Sequence, residues 1–150
     1  MRYSEPDMAN YTWICAERDT HEPINTLAEM RRAGGYETSL GLFFNGVAIG
    51  TGSYSHVNWR KKWIATESVS LNKKYRRKGH GIPLYRALIA QAILMGATRL
   101  YSSDALNKFS RRMWREKLPK AGFNVQSESM CEKPCRHCRH GRYYIDLTSL

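Results

Sequence analysis

The chain has 150 residues, 42% of them apolar, and 24 Lys and Arg against 13 Asp and Glu, for a formal charge of +11. That size and composition exclude a disordered tail and fit one domain, 1–150, with a real core. No apolar run approaches the ~20 residues of a membrane span and residues 1–7 are too polar for a signal peptide, so a cytoplasmic chain is expected, with anionic partners: coenzyme phosphates, nucleic acid or an acidic protein.

In chain order, Tyr11–Glu17 reads as a first strand. Asp19 is placed to cap a helix running to about Arg32, which Gly34-Gly35 ends. Residues 39–44 and 47–54 flank Asn45-Gly46, a strong hairpin signal because both turn residues tolerate positive φ. Residues 56–71 read as a third long strand, entered through the loop 59–62. A helix is predicted over 82–96, with apolar residues at 84, 85, 88, 89, 92 and 93 on one face. A short strand at 98–102 follows, then a helix over 107–117 with Phe109, Met113 and Trp114 at core spacing and Gly122 as its stop. Residues 123–130 and 142–147 read as two final strands. The pattern predicts a mixed α/β (α+β) domain around one sheet.

The stretch Arg76-Arg77-Lys78-Gly79-His80-Gly81 joins the third strand to the main helix. A glycine-rich turn there leaves backbone N–H groups unpaired at the positive end of the helix dipole, and three cations stand beside it. Gly79 and Gly81 are expected to let the backbone approach an anion, with His80 facing outward towards solvent or phosphate. Pro83 sits in the first helical turn, where its missing N–H costs nothing.

A second constellation is the loop 131–141, which carries Cys131, Cys135, His137, Cys138 and His140 among Arg136 and Arg139. The Cys135-x-x-Cys138 knuckle suits zinc, with Cys131 and His140, or His137 in its place, completing four ligands of a structural site. A disulfide, or free thiols on a basic hairpin, are the alternatives. Cys15, in the first strand, is expected to be buried.

Arg76-x-x-Gly79-x-Gly81 at a strand-to-helix turn, the hairpin 43–50, and Asn107 through Gly122-Phe123 together resemble the GNAT superfamily of N-acetyltransferases. The resemblance spans roughly residues 11–147. It implies a twisted, mostly antiparallel sheet splayed beside the signature strand, with acetyl-CoA in the split. The pyrophosphate would lie on Arg76, Arg77, Lys78, Gly79, His80 and Gly81, and the pantetheine would pair with the backbone of Val69 and Leu71. Asn107 joins these as a cofactor-binding residue.

The resemblance also implies direct acetyl transfer to an amine, which needs a base and donors for the oxyanion, and no metal. Glu67, in phase with Val69 and Leu71 on the signature strand, is the candidate base; a salt bridge is its structural alternative. The family's thiolate-protonating Tyr falls at Trp114, whose indole is no acid, so Ser103, Ser110 and Tyr101 are the candidates to supply a hydroxyl. Asp104 is read as a helix cap near 105. The segment between the first strand and the hairpin holds one helix where the family usually has two, which leaves an open acceptor groove. The charge and the basic hairpin point to an acceptor amine on nucleic acid or on a protein held near it, with a protein Lys or N-terminal amine and a small-molecule amine left open. The rival is a non-catalytic nucleic-acid-binding module with a zinc-ordered basic hairpin. A nucleotide-binding domain is a weaker third, because the turn lacks P-loop spacing.

Overall fold

The computed structural model describes residues 8–129 and 141–150. Its strands are β1 (Tyr11–Glu17), β2 (Thr38–Phe44), β3 (Val47–Asn58), β4 (Trp63–Leu71), β5 (Arg99–Tyr101), β6 (Val125–Ser129) and β7 (Gly141–Asp146). They form one seven-stranded sheet in the order β1-β2-β3-β4-β5-β7-β6. Every pairing is antiparallel except that of β4 with β5. Three helical segments matter: α1 (Leu27–Ala33), α2 (Gly81–Met95), and a rod made of α3 (Lys108–Arg112), a π segment (Met113–Lys117) and α4 (Leu118–Lys120). This is the mixed single-sheet architecture that the pattern predicts, with the mostly antiparallel strands that the family resemblance implies. Among the described residues no helix is long and apolar enough to cross a membrane.

Local chemistry explains most boundaries. Asn45 and Gly46 take φ of 50° and 81°, the left-handed pair that a two-residue hairpin turn demands. Gly34 and Gly96, at φ 103° and 94°, close α1 and α2. Alternation then sorts β1–β4 into two faces. On one face a Cβ at Gly50 would meet Leu84 at 3.4 Å and one at Gly52 would meet Leu88 at 3.0 Å, so α2 presses against bare backbone. Trp13 donates to Gln91 on the same side. Leu40, Leu42, Ile64, Leu84, Leu88 and Leu100 are fully buried between the layers. The opposite face carries Ile14, Ser53, Ser55 and Glu67 by register, and Ile14 is 61% exposed there.

Four expectations need correction. The cap of α1 is Thr26, whose side chain accepts from Glu29 N–H, so the helix starts well after Asp19. Residues 56–58 belong to β3, and the strand expected over 56–71 is β4, which begins only at Trp63, after a turn in which Asn58 accepts from Lys61 N–H. Ile93 is 38% exposed; α2 is buried around most of its girth instead, including Arg86 and Gln91, because the rod covers what the sheet does not. No helix starts near 105: Asp104 pairs with Arg142 at 3.4 Å, tying the loop after β5 to β7. The zinc candidates Cys131, Cys135, Cys138 and His140, with His137, lie outside the described residues. Cys15 is buried, as expected.

Candidate active site

Residues Trp63, Ile64 and Ala65 of β4 pair with Arg99, Leu100 and Tyr101 of β5. Beyond them, residues 66–71 keep β3 on one side and, among the described residues, have no strand on the other. The divergence has a local cause. Ser53 faces Glu67 and Thr51 faces Ser70, so Ser68 and Val69 together oppose Gly52 alone. Ser68 takes φ 49°. One extra residue bends a strand and increases its twist, which carries β4 away from β5.

The gap is filled by two adjoining cavities. The first, about 310 Å³, is lined by Val69, Ser70, Leu71, Arg76, Arg77, Asn107 and Phe109. The second, about 220 Å³, runs past Glu67, Ser103, Ser110, Tyr85 and Trp114. Val69 and Asn107 line both. The groove thus leads from the basic turn, along the free edge of β4, to Glu67. In the second cavity Tyr85 and Trp114 come from the helical layer and Glu67 from the opposite face, so the space reaches through the sheet.

The turn is built by short-range contacts. Arg76 Nε donates to the Leu71 carbonyl at 3.0 Å, which folds the chain back over the end of β4. Arg77 at φ 60° and Gly79 at φ 85° reverse it, and no atom lies within 4 Å of where a Gly79 Cβ would stand. The first N–H groups of α2 have no intrahelical acceptor and are free for an anion. A Gly81 Cβ would meet Met113 Cε at 3.0 Å, so this glycine also lets α2 pack closely on the rod. One expectation fails here. His80 does not face outward: it is 8% exposed. Its Nδ1 shares a 2.7 Å hydrogen bond with the Tyr11 hydroxyl, and its ring packs on Phe44 and Tyr75.

Glu67 has no cation partner among the described residues. Its Oε1 accepts from Ser55 Oγ at 3.1 Å and its Oε2 from Ser103 Oγ at 2.8 Å. These hydroxyls hold the carboxylate in place and leave it an acceptor for a further proton. The bulge puts it out of phase with Val69, whose methyl faces α2 beside Gly52. Asn107 caps α3 and shares a capping box with Ser110, whose Oγ receives the Asn107 N–H at 3.1 Å. Ser110 therefore lines the cavity with its hydroxyl already engaged.

Tyr101 is not brought to the cavity. Its hydroxyl donates to Glu128 at 2.8 Å and receives Arg99 at 3.0 Å, and Arg99 is stacked between Trp63 and Tyr144. Burial, reinforced by Glu128, pushes the Tyr101 phenol up to about 12. Tyr85 escaped the sequence reading. It is 1% exposed, lines the second cavity, and burial raises its pKa, so it stays a neutral phenol. Its place on the apolar face of α2 gave it the look of a core residue. Ser55 was missed because the third strand was drawn from 56, which hid the β3–β4 register that sets Ser55 beside Glu67.

The fold has solved counterparts. A putative acyl-CoA N-acyltransferase from Klebsiella pneumoniae superposes with a TM-score of 0.60 at 15% identity, over 93% of this chain and 99% of that one. A spermidine N-acetyltransferase chimera from Vibrio cholerae gives 0.58 at 15% identity, over 93% and 97%. An N-acetylglutamate synthase from Neisseria gonorrhoeae, complexed with coenzyme A and N-acetyl-glutamate, gives 0.52 at 15% identity over 73% of this chain. The chain spans only 25% of that synthase. No curated protein matches it in sequence. The sequence profile of the acetyltransferase (GNAT) family matches residues 5–118, and with the split sheet and basic turn in place, this chain belongs to that family of N-acetyltransferases.

Proposed function

We propose that the chain moves the acetyl group of acetyl-CoA onto an amine that arrives from the open sheet face, with Glu67 taking up the amine proton. One observation carries this: a continuous groove along an unpaired strand edge joins the basic turn 76–81 to the Glu67 carboxylate. The coenzyme phosphates would lie on the turn, its amide chain along residues 69–71, and its thioester in the second cavity. The free edge offers backbone N–H groups for the amide chain and for the oxyanion.

The acceptor amine is proposed to sit on or beside an anionic macromolecule such as nucleic acid. Supporting this, exposed Arg76 and Arg77 line the coenzyme end of the groove, exposed Lys73, Lys74 and Lys78 adjoin them in the chain, and Arg111, Arg112 and Arg115 are exposed on the rod, more charge than one coenzyme needs. A structural zinc on Cys131, Cys135, Cys138 and His140 rests on spacing alone. Elemental analysis after chelator-free purification should give about one zinc per chain, and less than about a tenth removes it.

Calorimetry with acetyl-CoA tests the reading. The parent chain should bind it, and Arg77→Glu, which puts a carboxylate against the phosphates, should weaken binding by about tenfold or more. No binding by the parent moves the case to a non-catalytic nucleic-acid-binding module, which would show affinity for nucleic acid without consuming acetyl-CoA.

A further inference from the structure

One cation lies on the open face of the sheet, away from the basic turn. Ala16, Ser39, Ser53 and Glu67 stand side by side at one level across β1, β2, β3 and β4. Arg18 follows the end of β1 and is exposed. Its side chain crosses this row of small residues, and its Nη2 donates to Ser53 Oγ at 3.1 Å. Ser53 directly faces Glu67.

Arg18 has carboxylates for neighbours and pairs with none of them. Glu17, Asp19 and Glu37 bring their oxygens within 4.8 Å of one another, and Glu17 accepts the Thr20 N–H. Among the described residues Arg18 makes no ion pair, and Ser53 engages one of its five N–H donors. Nor does it pair with Glu67, whose oxygens are drawn to Ser55 and Ser103 instead. Facing residues of antiparallel strands hold their Cβ atoms about 5 Å apart. A cation and a carboxylate are thus anchored on adjoining positions of one face, each held by serine, with a gap left between them.

We propose that Arg18 anchors a negatively charged group of the acceptor, so that the acceptor is an amine with a carboxylate or a phosphate a few bonds from its nitrogen. The inference deepens the reading above and rests on it, since it takes Glu67 as the place where the amine arrives. The nitrogen lies at Glu67 and the acid group at Arg18, whose planar fork matches either oxyanion. The arrangement rejects an amine without that group by leaving Arg18 with serine alone.

Arg18 takes no part in the bond changes. The acceptor arrives as an ammonium and loses a proton to Glu67. Its nitrogen attacks the acetyl carbon, the C–N bond forms, and C–S breaks with its electron pair going to sulfur. Of the two protons that the nitrogen sheds, one ends on the coenzyme thiol and one in solvent.

The test follows coenzyme A release from acetyl-CoA with matched acceptors: the common amino acids against their carboxamides, and O-phosphoethanolamine against ethanolamine. The anionic member of a pair should be used about tenfold or more better in kcat/KM. Preference within the amino acids assigns the carboxylate, and preference for O-phosphoethanolamine alone assigns the phosphate. Arg18→Gln should raise KM for the anionic acceptor about tenfold or more, with KM for acetyl-CoA and for the neutral twin unchanged. Arg18→Glu should reverse the preference within each pair, an outcome that a merely structural role would not produce. Equal use of the twins by the parent, an unmoved KM in Arg18→Gln, or acetyl-CoA bound but passed to no anionic amine would each overturn the assignment. Transfer to neutral amines alone would do so while leaving the coenzyme and Glu67 reading in place. Calorimetric silence with acetyl-CoA is a different result: it removes that reading and this inference with it.

Discussion

The two halves of β4 share one strand and meet opposite fates. At Trp63, Ile64 and Ala65 the strand is paired on both sides, and the aromatic and cationic groups of that region satisfy one another: Arg99 between Trp63 and Tyr144, Tyr101 on Glu128. From 66 to 71 one side has no strand among the described residues, and what lines it is open to a ligand: the Glu67 carboxylate and the exposed cations of the turn. A sheet can thus make a binding site by withholding a partner, provided that a bulge steers the strand and a buried α2 keeps the rest of the layer closed.

The sharpest way to break this contrast is to delete Ser68. Without it, 69–71 would continue the register set by Ser53 and Glu67, the strand would straighten, and coenzyme binding should be abolished by calorimetry while the domain still unfolds cooperatively. Retained binding would show that the bulge does not create the gap. Next in size is Glu67→Gln, which keeps the Ser55 and Ser103 contacts in outline but cannot accept a proton. Turnover should fall about a hundredfold or more with coenzyme affinity unchanged, and full activity would clear Glu67 of the base role.

The smallest effect belongs to the paired half. Tyr101→Phe should cost about 1 kcal/mol in chemical denaturation and leave coenzyme affinity alone. The same variant tests a pH dependence. The Tyr101 phenol titrates at about 12 in the fold against ~10 when unfolded. Its contribution to stability is therefore complete below about pH 10 and is lost as pH rises through 12. Cys15, whose thiol burial also pushes up to about 12, and buried Tyr85 act in the same direction. Alkaline destabilisation should be shallower in Tyr101→Phe, and an unchanged profile would remove Tyr101 from it.

Much of this architecture was legible in the sequence because it is local. The bounds of β1, the end of β4, the Asn45-Gly46 turn and the helix after the glycines each follow from residues within a few positions of one another. The errors lie where distant pairing decides. Asp19 is as good a cap as Thr26, and only the β-bridge of Ala16 with Pro23 delays the helix past it. His80 sits in a polar stretch, but Tyr11, Phe44 and Tyr75 arrive from three other segments to enclose it. Glu67 could be chosen from its place on the strand, whereas its hydroxyl partners required the β3 register and the loop after β5. The bulge at Ser68 leaves no mark in composition, since it is defined by what stands across from it.

The unpaired edge has a colloidal consequence as well. A bare strand edge is a template on which another chain can add its own strand, the first step towards self-association. Here the entrance to that edge is ringed by Arg76 and Arg77 and followed by Lys78. Two copies approaching edge to edge would bring these like charges together. The cations proposed to hold the coenzyme therefore also keep empty copies apart, and neutralising them would be felt first as precipitation of the unloaded protein.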